Sequence, residues 1–240
     1  MNLPPLTIGI CTYKRPWYAM LLISSMISQI GYDGQKKFHI ADGGSPQEDI
    51  DYYKFLTREY ETTVEVTSNL SDMVNSCARH GGELFMVILD DFIPRRKFNL
   101  SLDARMLMDH SEIGCVRFGR LAFWGSGSGD PETTADLIQH NGLHWWRLDK
   151  DRSKDGYMCS IGFHMYHRRF WDAYGDIESC EPKIPGGAEM RANTRFRAKP
   201  GPTIAIPMRF GQDCGDWDEP IWHMGIWRSD DYASTAGSRL

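Results

Sequence analysis

Short apolar runs alternate with segments of helical periodicity over the first ninety residues of the chain. The apolar runs predict four strands, at Leu6–Cys11, Lys37–Ala41, Thr63–Thr67 and Leu84–Leu89. Apolar spacing and terminal signals predict three helices between them, at Trp17–Ile30, from Ser45 to about Tyr60 and at Asn69–Arg79. Regular alternation of strands and helices predicts right-handed crossovers and a parallel, doubly wound sheet.

Polar loops follow three of these predicted strands, at Thr12–Pro16, Asp42–Pro46 and Asp90–Pro94. Because the carboxyl ends of parallel strands share one edge of a sheet, we expect the three loops to meet there and to bind a ligand. The first loop contains no G-x-G-x-x-G, and the chain has no G-x-x-x-x-G-K-[ST]. Dinucleotide-binding and P-loop interpretations therefore lose support.

The run Leu84–Leu89 leads directly into Asp90 and Asp91, and Pro94 ends the segment. Six consecutive apolar residues are typical of a strand that is buried on both faces. Two carboxylates at the end of such a strand repel each other, and burial makes it costly to keep both charged. A divalent cation removes that cost, and oxygen ligands suit magnesium or manganese. The alternative is a strand that ends in a solvated acidic turn.

The remainder of the chain shows weaker periodicity. After Lys97 we predict a helix that reaches about His110. Further elements are predicted at Gly114–Phe118, Leu143–Leu148, Tyr157–Tyr166, His167–Tyr174, Ala188–Arg197 and Thr203–Pro207. Five tryptophans are candidates for stacking on sugars or bases, with core packing as the alternative: Trp124, Trp145, Trp146, Trp217 and Trp222.

Composition narrows the class of protein. Hydrophobic residues make up 41% and charged residues 25%, as in ordinary globular proteins. The net charge of -5 argues against broad non-specific binding to nucleic acid or anionic membranes, and it leaves a local basic groove open. The six cysteines form no C-x-x-C pair, which favours reduced thiols in a cytoplasmic protein. We see no signal peptide and no transmembrane segment.

Several motifs occur in an order that resembles one enzyme family. They are T-I-G-I-C-T-Y-K-R-P, H-I-A-D-G-G-S-P, N-L-S-D-M-V-N-S-C-A-R-H-G-G-E-L-F-M-V-I-L-D-D, I-G-F-H-M-Y-H-R-R-F-W-D-A-Y-G-D-I and W-H-M-G-I-W, with Glu189 and Arg195 before the last. Together they resemble the inverting glycosyltransferases of family 2, with the GT-A fold, over nearly the whole chain. Lys14, Gly43 and Met190 depart from the residues common in that family, and the metal motif is Asp-Asp-Phe rather than Asp-x-Asp.

The resemblance implies a GT-A-like α/β fold. Its centre would be a single mostly parallel, doubly wound (Rossmann-like) sheet with helices on both faces and a smaller acceptor-side subregion. Residues 1–118 would form the nucleotide-sugar-binding half and residues 119–240 the acceptor-binding half and C-terminal tail of the same compact domain. Residues 120–156 have no counterpart that we can place in the family.

A metal site is also implied by the resemblance. Asp91 would hold Mn²⁺ or Mg²⁺ against the diphosphate of the donor, and His223 would complete the coordination. Asp90 would lie nearer the ribose or help to orient the metal. For His223 the alternative is a histidine on the surface or in an ordinary hydrogen bond.

The resemblance assigns the nucleotide to the first two loops. Thr12, Tyr13 and Arg15 would lie beside the base, and Asp42 would accept a hydrogen bond from a uracil-type N–H. The expected donor is therefore a UDP sugar. The alternative for Asp42 is that it caps a turn, as Asp-Gly sequences readily do.

An inverting transfer needs a base that removes the proton of the acceptor hydroxyl. By resemblance Glu189 is the candidate, with Asp213, Asp216 and Asp218 as rivals in an acidic tail. The alternative for Glu189 is a residue that only interacts favourably with the N-terminus of its helix.

We expect a metal-dependent glycosyltransferase whose hydroxyl acceptor is a saccharide, a lipid-linked glycan or a modified DNA base. For DNA, a phosphate track would be formed by Arg95, Arg96, Lys97, Arg168, Arg169, Arg191, Arg195 and Arg197. Two further hypotheses are a non-catalytic GT-A-like module that binds a nucleotide or sugar, and a nucleotidyltransferase. A nucleotidyltransferase usually has a glycine-rich loop after the first strand, which Cys11–Pro16 lacks.

Overall fold

A nine-stranded mixed sheet forms the centre of the computed structural model, which describes residues 2–118, 135–152, 162–179, 187–210 and 221–223. The strands in chain order are β1 (Leu6–Thr12), β2 (Ile30–Gly31), β3 (Lys36–Asp42), β4 (Glu61–Val66), β5 (Leu84–Leu89), β6 (Phe92–Pro94), β7 (Phe98–Asn99), β8 (Ile113–Arg117), β9 (Ala135–His140), β10 (Leu143–Leu148), β11 (Phe163–His167), β12 (Thr203–Pro207) and β13 (Ile221–His223). The helices are α1 (Pro16–Gln29), α2 (Gln47–Leu56), α3 (Leu70–His80), α4 (Ser101–Asp109), α5 (Arg168–Tyr174) and α6 (Gly187–Ala198), and a 3-10 turn covers Met208–Phe210.

The order of strands in the large sheet is β4-β3-β1-β5-β11-β8-β12-β10-β9. Strands β4, β3, β1 and β5 pair in parallel, and so do β8 and β12. Strand β11 lies antiparallel between β5 and β8, and β10 lies antiparallel between β12 and the edge strand β9. The predicted α/β class with a mostly parallel sheet is therefore confirmed. The antiparallel insertion of β11 was not predicted, because an apolar run does not reveal the direction of its strand.

Both faces of the sheet are covered by helices. Side chains of one strand point alternately to the two faces, so apolar residues along a strand need helices on both sides to bury them. On one face, Ile23 of α1 and Leu107 of α4 pack with Ile10 and Ile88. On the other face, helices α3, α5 and α6 contribute Val74, Cys77, Phe170, Trp171 and Phe196. The central strand β1 is buried along its whole length. This is the burial expected for the middle of a parallel sheet between two helical layers.

Trp145 belongs to the core rather than to a stacking platform. Its side chain is fully buried, and its indole N–H donates to Asp103 over 3.0 Å. The Asp103 carboxylate also forms an ion pair with Arg209, which offsets part of the cost of burying this charge. Trp146 is almost completely buried as well. Of the remaining candidate tryptophans, Trp124, Trp217 and the side chain of Trp222 lie outside the described residues.

Three of the cysteines, Cys11, Cys77 and Cys115, are buried, and Cys11 and Cys77 are free thiols, as predicted. The other three lie outside the described residues. Within the described part of the chain, no helix combines the length and apolar character needed to cross a bilayer.

Gly9 is the point at which β1, β5 and α3 approach one another most closely. A Cβ atom at this position would lie 2.5 Å from the backbone oxygen of Met86 and 2.7 Å from the Cβ of Cys77. Replacing Gly9 by alanine should therefore lower the free energy of unfolding by about 1–3 kcal/mol, as overpacking of a core typically does. Urea denaturation measures this change.

Gly82 provides the matched control, since a Cβ there would meet nothing within 4 Å. Gly82→Ala should change the free energy of unfolding by less than about 0.5 kcal/mol. Equal effects of the two substitutions would contradict the close approach at Gly9.

Candidate active site

The loops that follow β1, β3 and β5 are joined by hydrogen bonds at one edge of the sheet, which we call the carboxyl edge. The backbone N–H of Asp90 donates to the carbonyl of Cys11 over 3.0 Å. The backbone N–H of Gly43 donates to the carbonyl of Thr12 over 2.8 Å. These bonds continue the parallel pairing of the strands beyond their ends. The predicted convergence of the three loops is therefore confirmed.

Asp90 is completely buried at this edge. One carboxylate oxygen accepts a hydrogen bond from the Thr12 hydroxyl over 3.0 Å, and the other forms an ion pair with Arg15. Burial, with a smaller contribution from the charge of Asp91, raises the pKa of Asp90 to about 7, whereas Arg15 opposes the shift. Near pH 7 the protonated and ionised forms of this carboxyl group are therefore both populated, and an additional cation would favour the ionised form.

Asp91 is also buried, with only 1% of its surface exposed. Its Oδ2 lies 3.5 Å from Nη1 of Arg15. The guanidinium of Arg15 therefore contacts both carboxylates of the acidic pair, as we call Asp90 and Asp91. Asp91 therefore lies at the carboxyl edge, next to Asp90 and its partners Thr12 and Arg15. The alternative, a strand that ends in a solvated acidic turn, is wrong.

The structure gives Arg15 a contact that the sequence did not reveal. The motif resemblance placed this residue beside the nucleotide base, whereas its guanidinium points to the acidic pair. No periodicity signals such a contact, because Arg15 and Asp90 are separated by 75 positions and meet only through strand pairing.

Asp42 is fully buried and organises its own loop. One of its oxygens accepts from the backbone N–H groups of Gly44 and Ser45 over 2.7 and 2.6 Å, and the other accepts from the Ser45 hydroxyl over 2.7 Å. Gly44 has a positive φ of 100°, which glycine adopts readily. These contacts are those of the turn-capping alternative, and recognition of a uracil-type N–H by Asp42 stays a prediction.

Tyr13 lies directly over Gly43. A Cβ atom on Gly43 would fall 2.2 Å from Cδ2 of the Tyr13 ring. Gly43 is therefore a physical requirement of this loop, at a position where the resembled family commonly has Asp. The ring remains 37% exposed, with the ammonium of Lys14 located 5.6 Å from its centroid. Lys14 itself has a φ of 51°, a conformation that Asn, frequent in the family at this position, adopts more easily.

Strand β13 brings His223 close to the acidic pair. It pairs antiparallel with β6, so that the backbone of His223 lies opposite Phe92, the residue after Asp91. The side chain of His223 lies outside the described residues. Metal ligation by His223 stays a prediction. The backbone of His223 lies at the carboxyl edge, where that role requires it.

Glu189 lies in the first turn of α6. Since β8 and β12 run in the direction of β5, and α6 leads back to the start of β12, this first turn lies towards the carboxyl edge. Arg191, half a turn further along α6, donates to the carbonyl of Ser179 over 3.1 Å. The structure thus places Glu189 on the correct side of the sheet, and its role as base stays a prediction. Asp213, Asp216 and Asp218 lie outside the described residues.

A second group of potential metal ligands comprises His39, Glu65 and His80, whose ligand atoms all lie within 4.8 Å of one another. The two imidazole rings are stacked, with centroids 4.0 Å apart and planes 10° apart. Parallel rings at this spacing cannot both direct a nitrogen lone pair in the ring plane at one ion. Both nitrogens of His39 share hydrogen bonds of 2.7 Å, with Thr63 and Ser76. Burial lowers the pKa of His39 to about 4, so His39 is neutral near pH 7 and belongs to a hydrogen-bonded network with Thr63 and Ser76.

Four of the eight basic residues suggested as a phosphate track have contacts with backbone carbonyls. Arg168 donates to carbonyls at the C-terminal end of α3, and Arg169 donates to carbonyls that follow α4. Both follow the antiparallel strand β11 and therefore lie at the edge opposite the acidic pair. Arg191 and Arg195 donate to backbone carbonyls of the segment 175–179. The structure does not bring these four arginines together beside the crevice.

The raised pKa of Asp90 predicts how stability changes with pH in the absence of metal. The pKa is about 7 in the folded protein and starts from an ordinary value of 3.8. Between these values the folded state retains a proton that the unfolded state has lost, so the stabilising contribution is complete below about pH 4 and is lost as the pH rises to about 7. Asp90→Asn removes this titration. Between pH 5 and pH 8 in EDTA, the free energy of unfolding should fall in both proteins. The fall in Asp90→Asn should be smaller than the fall in the wild type, and the difference should be about 1–3 kcal/mol.

Denaturation with urea at each pH measures the effect, and Asp51→Asn, at an exposed position on α2, is the control that should follow the wild type. Parallel curves for Asp90→Asn and the wild type would show that the Asp90 carboxyl is not shifted.

Comparison with known proteins supports the fold. No family model and no curated protein sequence matches the chain. Among solved structures, TarS 1-349 of S. aureus in complex with UDP-GlcNAc is similar, with a TM-score of 0.57 at 14% identity, over 86% of this chain and 58% of that chain. The mannosyltransferase PcManGT from Pyrobaculum calidifontis, in complex with GDP-Man and Mn²⁺, has a TM-score of 0.52 at 11% identity, over 89% and 59%.

GalNAc-T7 with UDP, GalNAc and Mn²⁺ has a TM-score of 0.55 at 12% identity, over 86% of this chain and 42% of that chain. The chain therefore spans less than two thirds of the length of each of these proteins. At such low identity the likeness concerns the fold alone. It shows that the chain has the GT-A-like fold of nucleotide-sugar glycosyltransferases, as predicted from the sequence.

Proposed function

We propose that this protein is an inverting glycosyltransferase of the family 2 type, which moves a sugar from a nucleotide-sugar donor to a hydroxyl acceptor. The expected donor is a UDP sugar, and the reaction depends on a divalent cation. The observation that carries the proposal is the buried acidic pair at the end of β5, in the crevice formed by the loops after β1 and β3. In parallel sheets, ligands bind outside the carboxyl ends of the strands.

The residues present fit a divalent cation. Two adjacent buried carboxylates supply hard oxygen ligands, and burial holds the pKa of Asp90 near 7, as expected where negative charge is incompletely compensated. Asp91, with help from Asp90 and from His223, would hold Mn²⁺ or Mg²⁺. When bound, the cation neutralises the charge that develops on the departing diphosphate.

The loops after β1 and β3 would bind the nucleotide. Tyr13 offers a partly exposed ring face at the carboxyl edge, suited to stacking on a base. Thr12 positions Asp90 by its hydrogen bond, and Asp42 keeps the second loop in shape. Arg15 supplies a guanidinium, which suits diphosphate oxygens.

Glu189 would act as the base. It would accept the proton of the acceptor hydroxyl while that oxygen attacks the anomeric carbon from the face opposite the diphosphate, which inverts the configuration. Its place in the first turn of α6, towards the carboxyl edge, supports this role.

A saccharide or a lipid-linked glycan is favoured as acceptor over a modified DNA base. Arg168 and Arg169 bind helix carbonyls at the opposite edge of the sheet, so they contribute nothing to a phosphate track near the acidic pair. The exposed residues Arg95, Arg96 and Lys97 lead from β6 to β7, which pairs with β2 beyond the C-terminal end of α1, so this basic run extends away from the carboxyl edge.

Asp91→Asn tests the metal role without changing the size of the side chain. Nucleotide sugars that bind in the presence of Mn²⁺ raise the stability of the wild type, by about 2.7 kcal/mol at a hundred times the dissociation constant. The variant should lose the Mn²⁺-dependent part of this stabilisation and its turnover, while it remains folded. A thermal-shift screen of nucleotide sugars with and without Mn²⁺, followed by transfer assays, measures both.

Asp51→Asn is again the control and should behave as the wild type. Full metal-dependent activity of Asp91→Asn would rule out the metal role of Asp91. Tight donor binding by the wild type without hydrolysis or transfer would instead indicate a non-catalytic binding module.

Glu189→Gln tests the base. The amide cannot accept the proton, so transfer should fall by about a hundredfold or more, while the affinity for the donor stays the same. Steady-state kinetics and donor titration separate the two quantities. Glu59→Gln, an exposed substitution after α2, should leave both unchanged. A small effect of Glu189→Gln would move the base to Asp213, Asp216 or Asp218.

A further inference from the structure

Arg15 occupies the position between the two carboxylates that a cation would bridge. Its Nη2 pairs with Oδ1 of Asp90, and its Nη1 lies 3.5 Å from Oδ2 of Asp91. Both carboxylates are buried, whereas the side chain of Arg15 remains 17% exposed. The guanidinium therefore covers the acidic pair from the more accessible side.

A guanidinium and a divalent cation compete for the same oxygens. Oδ2 of Asp90 accepts a hydrogen bond from Thr12, and Oδ1 is held by Arg15. A cation that keeps the Thr12 bond intact must therefore bind Oδ1, the oxygen that Arg15 occupies. Positive charges at close range repel strongly in a buried site. Binding of the cation by both carboxylates therefore requires the guanidinium to move.

We propose that Arg15 is an internal competitor for the divalent cation, which holds the acidic pair in the free protein and transfers its guanidinium to the donor diphosphate when cation and donor bind. This inference rests on the proposed function. It assigns Arg15 a positioning role that differs from contact with the base.

The charges explain why the two ligands should bind together. The acidic pair and Arg15 carry a formal charge of -1 when both carboxyl groups are ionised. A divalent cation alone leaves the displaced guanidinium beside another positive charge. A diphosphate provides the anion that both require. Arg15 thereby makes the affinity for the cation depend on the nucleotide, and by linkage the reverse holds to the same extent.

The local backbone is compatible with such a movement. Arg15 is the residue before α1, with a φ of -132° and a ψ of 64°, and its side chain makes no capping hydrogen bond to the helix. Its guanidinium lies 5.5 Å from the centroid of the Tyr18 ring. Rotation of the Arg15 side chain away from the acidic pair would therefore break no capping hydrogen bond of the helix.

Affinity for Mn²⁺ alone, and for Mn²⁺ in the presence of UDP, tests the proposal by isothermal titration calorimetry. Arg15→Met keeps much of the length of the side chain and removes the charge. It should bind Mn²⁺ without UDP about tenfold or more tightly than the wild type does, a change of about 1.4 kcal/mol or more. The factor by which UDP increases the affinity for Mn²⁺ should be smaller in the variant.

Arg15→Lys keeps the charge and removes the two-pronged contact, so we expect a smaller gain in Mn²⁺ affinity. It also serves where Arg15→Met does not fold. Arg58→Met, at an exposed site paired with Glu59, is the matched control and should leave both affinities unchanged.

The opposite results separate the two levels of the argument. Unchanged or weaker Mn²⁺ binding in Arg15→Met, or in Arg15→Lys where only that variant folds, would overturn the competition, and the proposed function would stand if the wild type still bound Mn²⁺ and UDP. A wild type that binds neither Mn²⁺ nor UDP would overturn the proposed function and this inference with it.

Discussion

Burial of two adjacent negative charges at the end of a buried strand is the constraint on which the site depends. Strand β5 places Asp90 and Asp91 in one of three loops that are joined by hydrogen bonds, and both carboxylates are buried there. The protein must therefore offset their mutual repulsion. The contacts of Thr12 and Arg15 achieve part of this in the free protein. The raised pKa of Asp90 shows that the compensation is incomplete. Binding of a further cation at such a site would be favourable, and this is the physical basis of the proposed metal-dependent reaction.

The departures from the resembled family have local physical reasons. Gly43 is needed because the Tyr13 ring lies where a side chain would begin. Asp42, the remaining acidic residue of that loop, is committed to backbone and hydroxyl donors. The loop therefore presents an aromatic face where the resembled family commonly has a second carboxylate. A change from carboxylate to ring shifts the expected contact with the base from hydrogen bonding towards stacking.

Charged residues far from the crevice serve the fold. Arg168 and Arg169 are neighbours in sequence, yet each binds the carbonyls at the end of a different helix. Carbonyls at a helix C-terminus lack partners within the helix, so a guanidinium stabilises them. Asp103 similarly receives Trp145 and Arg209. A count of basic residues cannot distinguish these structural contacts from a surface that binds an anionic polymer.

Apart from the short strand β2, local pattern alone determined the strands and helices of the first ninety residues, the convergence of their loops and the acidic pair at the end of β5. Those features follow from periodicity, from turn residues and from the rule that parallel strands end on one edge. The tertiary structure alone decided the reversed direction of β11, the contact of Arg15 with the acidic pair and the pairing of β13 with β6. These contacts join residues that are distant in the chain, and their free energies depend on burial and geometry that only the folded packing creates.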